Sequence, residues 1–246
     1  NHNGNIGLAL KLVDIAAKAK ADYIKFQTYS TKDLVQKKVG LAKYQKKNLN
    51  KSSSQYKLLK KFELSTSDHL RIIKRCKKKK IKFLSSPFDF KSIELLNKLK
   101  LSMLKIPSGE ITNIPYLRKI GALKKKIILS TGMSNSEEIK IAIETLISSG
   151  TSKKNITILH CSSEYPAEKK NLNLLSISYM KKKFNINVGY SDHSLDFQAS
   201  FTAVALGAKV IEKHFTINKK LSGPDQKASL SPSELINFVK GIRCIE

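Results

Sequence analysis

The stretch Ile186–His214, INVGYSDHSLDFQASFTAVALGAKVIEKH, decides how this chain is read. An apolar run from Ile186 to Val188 leads through Gly189-Tyr190-Ser191-Asp192 to His193. Apolar residues then recur at helical spacing from Phe197 to Leu206, and a second run, Lys209 to Glu212, leads to His214. Strand, helix and strand within about thirty residues make a βαβ unit, whose two strands lie parallel. Both strands therefore finish at the same edge of the sheet, and both finish on an imidazole.

Outward from this unit the same alternation repeats. Strands are expected at Tyr23 to Phe26, Ile81 to Leu84, Met103 to Ile106, Ile127 to Leu129 and Ile156 to Leu159, besides the two above. Amphipathic helices are expected at Gly7 to Ala19, Ser67 to Lys79, Ser92 to Leu99, Glu137 to Ser149 and Leu172 to Phe184. Strands alternating with helices imply a parallel sheet. The polar Asn1-His2-Asn3-Gly4 segment directly ahead of a helix has the character of a loop leaving a strand, so an eighth strand is expected upstream. Eight such units close a barrel. The expected fold class is therefore α/β, a (β/α)8 TIM barrel with its first strand truncated, and residues 1–246 form one catalytic barrel domain, read as a fragment. A length of 246 residues with 41% hydrophobic content suits one core of that kind. One segment breaks the rhythm: Thr28 to Ser65 is long and polar, carries Lys51-Ser52-Ser53-Ser54, and is expected to be a βα insertion beside the site.

Composition narrows the functional classes. No apolar stretch reaches the roughly 18 residues needed to cross a bilayer and no basic-then-apolar leader opens the chain, so a cytoplasmic protein without membrane partners is expected. Cys76, Cys161 and Cys244 have neither paired nor CxxC spacing, which argues against disulfides and structural zinc. The net charge of +27 is nearly all lysine spread along the chain. Runs such as Lys77 to Lys80, Lys124 to Lys126 and Lys181 to Lys183 fall at expected helix ends, where cations complement the macrodipole. A nucleic-acid binder is the competing explanation, but no helix-turn-helix, zinc finger or aromatic stacking motif supports it.

In a barrel, catalytic groups come from the C-terminal ends of several strands. Those positions hold Lys25 and Gln27; Ser85 and Ser86; Lys105, Ser108 and Glu110; Ser130 and Thr131; His160, Ser163 and Tyr165; Ser191, Asp192 and His193; and Lys213 and His214. Two lysines, several hydroxyls and the Ser108-Gly109-Glu110 and Ser130-Thr131-Gly132 turns suit an anion bearing carboxylate or phosphate. A lone strand-end histidine more often satisfies a hydrogen bond than binds a metal. As a pair on neighbouring strands, His193 and His214 suit a divalent ion, with Asp192 or water completing its shell. Lys213 invites a Schiff-base aldolase reading, but an ion pair with its neighbour Glu212 is the simpler account. His160 and Cys161 are adjacent on a strand and point to opposite faces, so they form no nucleophile pair, and Cys161 is read as core.

These residues carry a resemblance that covers essentially the whole chain. Asn1-His2-Asn3-Gly4, Lys25-Phe26-Gln27, Lys105 to Asn113, Ser130-Thr131-Gly132-Met133, Gly189 to His193, Glu212 to Thr216 and Gly223-Pro224-Asp225, in this order, resemble the bacterial sialic acid synthases. The resemblance implies a metal-dependent condensation of phosphoenolpyruvate with an open-chain N-acetylated hexosamine and water, giving a nine-carbon 2-keto sugar acid and phosphate. It implies that Lys25, Lys105, Ser108, Ser130 and Ser191 hold phosphoenolpyruvate, with Ser86 and Ser163 at the same pocket. His193 and His214 would bind manganese, with magnesium or cobalt as substitutes. Gln27, Glu110, Tyr165 and Asp225 would contact the sugar, and Lys25, Lys105, Glu110, His193 and His214 are the catalytic set. The expected acceptor is N-acetylmannosamine, as in N-acetylneuraminate synthase. The rival is the 2,4-diacetamido-2,4,6-trideoxymannose of N,N'-diacetyllegionaminate synthase, and Tyr44 to Asn48 and Ser162 to Pro166 are compatible with either.

The chain departs from the family pattern at several points. The Ala-Glu-(Ile/Val)-Gly segment that precedes Asn-His in the family, with its proposed catalytic glutamate, is not in this sequence. Neither is the C-terminal antifreeze-like (SAF) domain through which family members form a swapped homodimer, the partner expected for the full-length protein. Ser163 stands where some members have Asn, Ser86 where others have Thr, and Gln226 where His is usual, a change expected to alter the sugar end.

Overall fold

The computed structural model describes residues 1–41 and 54–246. Lys51 to Ser53 and the Tyr44 to Asn48 segment lie outside the described residues. In chain order the elements are α1 (Ile6–Lys18), β1 (Tyr23–Thr28), α2 (Thr31–Leu34), α3 (Gln55–Phe62), α4 (Thr66–Lys79), β2 (Lys82–Pro87), α5 (Phe90–Lys98), β3 (Met103–Ile106), α6 (Ile114–Gly121), β4 (Lys126–Ser130), α7 (Ser136–Ser148), β5 (Ile156–Cys161), α8 (Ser176–Phe184), β6 (Asn187–Asp192), α9 (Gln198–Ala205), β7 (Ile211–Lys213) and α10 (Pro232–Ile245). Every strand pair is parallel.

β1 pairs with β2, and β3 to β7 form a second sheet in sequence order, with β2 lying alongside β3. The result is an incomplete (β/α) barrel. Its opening lies between β7 and β1, whose facing edges line a cavity of about 470 Å³. No antifreeze-like β domain lies within the described residues; β7 is followed by a loop and α10.

The period of two along each strand sorts the side chains. Leu104, Ile106, Ile127, Leu129, Ile156 and Ile158 face outward into the main apolar core beneath the helices. Their alternates Leu84, Ile128 and Leu159, with Tyr23, Met103 and Val210 packed on them, plug the barrel interior at its lower end. Gly189 belongs to that interior wall: a Cβ there would stand 2.3 Å from Val210 O and 2.6 Å from Leu159 Cδ2. A third core joins α1, α9 and α10 through Ala19, Leu235, Phe238, Val239 and Ile242.

The helix starts are written locally. Ser65 with Asp68, Asn135 with Glu138 and Ser231 with Glu234 form capping boxes that open α4, α7 and α10. The helix expected from Leu172 begins only at Ser176, because a 3-10 turn at Lys169–Asn171 and a left-handed Asn173 (φ 43°) interrupt it. Residues 114–121 and 232–245, left unassigned by the alternation, are α6 and α10. Of the three lysine runs, two close α4 and α8 in their last turns, whereas Lys124–Lys126 lies in the turn into β4, where Lys125 donates to Leu101 O at 2.5 Å.

Candidate active site

The upper end of the barrel is a different surface. The inward alternates that are apolar below become Lys25, Gln27, Ser86, Lys105, Ser130, Ser191 and Glu212 above, and they surround one cavity of about 340 Å³. Ser108, Ser163, Tyr165, His193, His214 and Asp225 line it from the loops just beyond the strands. Twelve of the thirteen residues to which the resemblance gives a site role thus share one space. Glu110 is the exception. It sits on the 3-10 turn Ser108–Glu110, accepts from Asn113 Nδ2 at 2.7 Å, and is not part of the lining.

The electrostatic centre is Glu212. Its carboxylate stands 3.5 Å from both Lys25 Nζ and Lys105 Nζ and accepts from Ser191 Oγ at 2.9 Å. Lys105 also donates to Ser130 Oγ at 2.7 Å. Burial pushes the Glu212 carboxyl upward, but Lys105 and Lys25 outweigh it and hold the group far below its ordinary range. Burial lowers Lys105, against the pull of Glu212. Two ammonium groups facing one carboxylate leave a local excess of positive charge in a partly dry site, the arrangement an anion requires. Glu212 therefore pairs with the two lysines across the barrel and not with Lys213, its chain neighbour.

The two histidines stand at the β6 and β7 rim with ring centroids 5.7 Å apart. His193 Nδ1 donates to Ser162 O at 2.6 Å, an acceptor that requires the proton on Nδ1 and leaves the lone pair on Nε2, which meets only a long 3.4 Å contact with Ser191 Oγ that a cation would displace. Burial pushes His214 down to about 3 and lowers His193 as well, so both rings are neutral near pH 7. Tyr165 stacks on His193 at 4.0 Å between centroids and meets His214 edge-on at 5.8 Å. Neutral, cavity-facing imidazoles are a donor set that fits a divalent cation with several open positions. Among the described residues no group of three or more His, Cys, Asp or Glu could hold a metal, so water and substrate oxygens would fill the remaining positions. Asp192 does not complete the shell. Its carboxylate is turned away from the cavity into an ion pair with Lys213.

Other expectations resolve by side-chain direction. Ser85 bonds Thr28 Oγ1 at 2.7 Å outside the barrel, and Thr131 donates to Leu159 O at 3.0 Å. His160 points outward to Leu172 O at 2.7 Å, whereas Cys161, read from sequence as core, lines the cavity and receives Gly132 N at 3.2 Å. Gly132, at φ +54°, lies so close under the site that a Cβ would fall 2.6 Å from Ser108 Cβ. Gln226 is fully buried and bonds Asn1 O at 3.3 Å, Asn3 Oδ1 at 3.2 Å and the Thr216 hydroxyl, so its own side chain is not part of the cavity lining. The polar insertion after β1 returns as α3, whose Leu58, Leu59 and Phe62 form an apolar wall of the cavity with Tyr29 and Phe88. Tyr29 donates to Leu59 O at 3.0 Å and pins that wall to the end of β1. The i, i+1, i+4 spacing of Leu58, Leu59 and Phe62 is a helical signal inside the insertion that the strand–helix alternation passed over, but only the position of the helix over the strand ends makes it part of the site.

Known proteins are similar to this chain along its whole length. Residues 12–246 match the NeuB family. The N,N'-diacetyllegionaminic acid synthase of Campylobacter jejuni subsp. jejuni is 50% identical over 246 residues, spanning all of this chain and 74% of that protein. The N,N'-diacetyllegionaminic acid synthase of Legionella pneumophila is 44% identical over 248 residues, covering 100% of this chain and 70% of its own. The crystal structure of N-acetylneuraminic acid synthetase from Leptospira borgpetersenii, in complex with citrate, superposes with a TM-score of 0.87 at 33% identity, covering 100% of this chain and 80% of that one.

Proposed function

Because this chain belongs to the NeuB family of enzymes that condense phosphoenolpyruvate with an aminosugar, we propose that its acceptor is 2,4-diacetamido-2,4,6-trideoxymannose and its product N,N'-diacetyllegionaminate. The sequence resemblance put N-acetylmannosamine first. The relatives favour the other order: identities of 50% and 44% to legionaminate synthases stand against 33% to an N-acetylneuraminic acid synthetase. The observation that carries the chemistry is the Lys25–Glu212–Lys105 cluster beside paired His193 and His214 in one cavity.

In this reading Lys25 and Lys105 hold the carboxylate and phosphate of phosphoenolpyruvate, with hydroxyls from Ser108, Ser130 and Ser191 and flanking contacts from Ser86 and Ser163. Holding both anionic groups fixes C3 of the enol against the aldehyde carbon of the opened sugar, which removes much of the entropic part of the barrier. A divalent cation at His193 and His214, manganese or a substitute, would act as a Lewis acid on the aldehyde oxygen. C3 then bonds to that carbon, water adds at C2, and the C2–O bond breaks to release inorganic phosphate. Gln27 and Tyr165 offer hydrogen-bonding groups to the sugar chain. Asp225 adds a carboxyl that burial raises against the pull of Lys25. Glu110, which bonds Asn113 and stands outside the cavity lining, would reach the sugar only by turning toward the cavity.

Two observations disfavour a Schiff-base aldolase. The Lys213 side chain is 2% exposed and locked to Asp192, and Lys105 is engaged by Ser130 and Glu212. Borohydride with pyruvate is expected to label neither. The direct test is phosphate release from phosphoenolpyruvate and Mn2+ with the two sugars in parallel. Faster release with the diacetamido trideoxy sugar supports the assignment; preference for N-acetylmannosamine overturns it. Chelation and His214→Ala are each expected to abolish release in a protein that remains folded.

A further inference from the structure

Asp192 immediately precedes His193, and Lys213 immediately precedes His214. The two face each other as the last rung of the β6–β7 ladder. Their side chains, 0% and 2% exposed, close that rung with a 2.8 Å ion pair. Lys213 Nζ also donates to Ser194 O at 2.8 Å, so one lysine holds both residues that flank His193. Asp192 accepts in addition from Ser194 N at 2.8 Å and from Ser200 Oγ at 2.6 Å, which anchors the rung to α9. Beyond this rung the two backbones part: His193 O receives Ala167 N, and His214 O receives Leu230 N. The side-chain pair thus ties together the strand ends that carry the two imidazoles just where their backbones part.

Burying two charges is not by itself a route to stability, since a packed apolar pair of similar volume often does as well. We infer that Asp192 and Lys213 are positioning residues, a clamp that sets the separation and aim of the His193 and His214 rings and through them the affinity for a divalent cation. The inference rests on the metal reading of those two histidines. Metal–ligand distances tolerate shifts of only about 0.2 Å, so slack at the clamp converts directly into lost affinity.

The test is a Mn2+ titration of the metal-stripped full-length protein, with phosphoenolpyruvate affinity measured without metal on the same samples. Removing Lys213 alone would strand a buried carboxylate, so the pair is removed together as Asp192→Asn with Lys213→Met. Ser200→Ala, which takes one hydrogen bond from Asp192 and keeps the pair, is the milder second variant. Mn2+ affinity is expected to fall about 10- to 100-fold in the double variant, the range seen when partners of metal ligands are removed, and by less, about threefold, in Ser200→Ala. Phosphoenolpyruvate affinity should stay within about twofold, because the clamp lies outside the anion site. A folded double variant with wild-type Mn2+ affinity overturns the clamp, as do equal losses of Mn2+ and phosphoenolpyruvate affinity. His214→Ala separates the two ideas: undiminished Mn2+ binding there removes the metal reading itself, whereas loss there without loss in the double variant removes only the clamp.

Discussion

Two ion-pair clusters meet on β7 at adjacent residues, and they are built to opposite ends. Glu212 points into the barrel, where its side chain is 19% exposed and meets two lysines at 3.5 Å each. Lys213 points outward, where it is 2% exposed and meets Asp192 at 2.8 Å with a carbonyl besides. The inner cluster is open, loosely spaced and over-supplied with positive charge, so an entering anion can compete for its donors. The outer cluster is closed and balanced, so it can only hold. The same pair of residue types yields an exchangeable site on one face of a strand and a fixed joint on the other. Access to the cavity and the count of donors per acceptor decide between them.

The comparison breaks most sharply at Lys105. Lys105→Met should cut phosphoenolpyruvate affinity by about 100-fold or more, because a charge-assisted bond in a desolvated site is removed, while Glu212 keeps Lys25 as partner and the fold persists. Isothermal titration of the variant measures it, and wild-type affinity would place the anion elsewhere.

Glu212→Gln sharpens the comparison further. The variant leaves two ammonium groups facing each other without a counter-charge, so the ligand-free protein should melt several degrees lower, for a loss of about 1–3 kcal/mol. Phosphoenolpyruvate supplies the missing negative charge, so the rise in melting temperature on adding it should be larger in the variant than in the wild type. An equal or smaller rise would mean that Glu212 and the anion do not share the lysines.

A smaller effect is expected from two histidines outside the site. His69, bonded to Thr28 Oγ1 and Ser65 O, and His160, bonded to Leu172 O, are both lowered by burial from the ordinary value of 6.5. Below that value the unfolded chain binds the protons that the folded chain refuses. Their contribution is therefore complete above about pH 6.5 and declines as pH falls through the acid side of that value, at up to about 1.4 kcal/mol per pH unit for each group. Melting temperature should drop between pH 7 and pH 5, and His160→Gln should flatten the slope; an unchanged slope would mean that His160 carries no share of it.

The smallest expected effect belongs to the surface pair Asp14–Arg75, 31% and 34% exposed. Asp14→Asn should cost less than about 1 kcal/mol and leave phosphate release unchanged. A loss comparable with that of Glu212→Gln would erase the distinction between working and peripheral ion pairs.

Much of the site was legible because strand parity is a local rule. Once Met103–Ile106 is a strand with Leu104 and Ile106 outward, Lys105 must face in, and the same count brings Lys25, Ser130 and Ser191 inside; Glu212 obeys it too, although the sequence reading pairs it with Lys213 and leaves it out of the site. The same rule assigns His160 and Cys161 to opposite faces, yet it does not tell which face borders the cavity: Cys161 is buried, as a core residue should be, and borders the cavity as well. Glu110 shows the opposite limit. Its place in the Ser108-Gly109-Glu110 turn is plain in the sequence, but a 3-10 turn has no parity to aim a side chain, and Asn113 claims it.

Sequence alone determined the order of the seven strands and of six of the helices, the parallel sheet, and the inventory of lysines, hydroxyls and histidines at one end of it, since each follows from periodicity within a few residues. Only the tertiary structure decided the partners. Glu212 bonds lysines on β1 and β3 instead of the lysine beside it, Asp192 turns from the histidines to Lys213, and α3 folds over the cavity from within a polar insertion. Neighbours in a chain sit on opposite faces of a strand, so a charge finds its counter-charge across the barrel, at a distance no local pattern records.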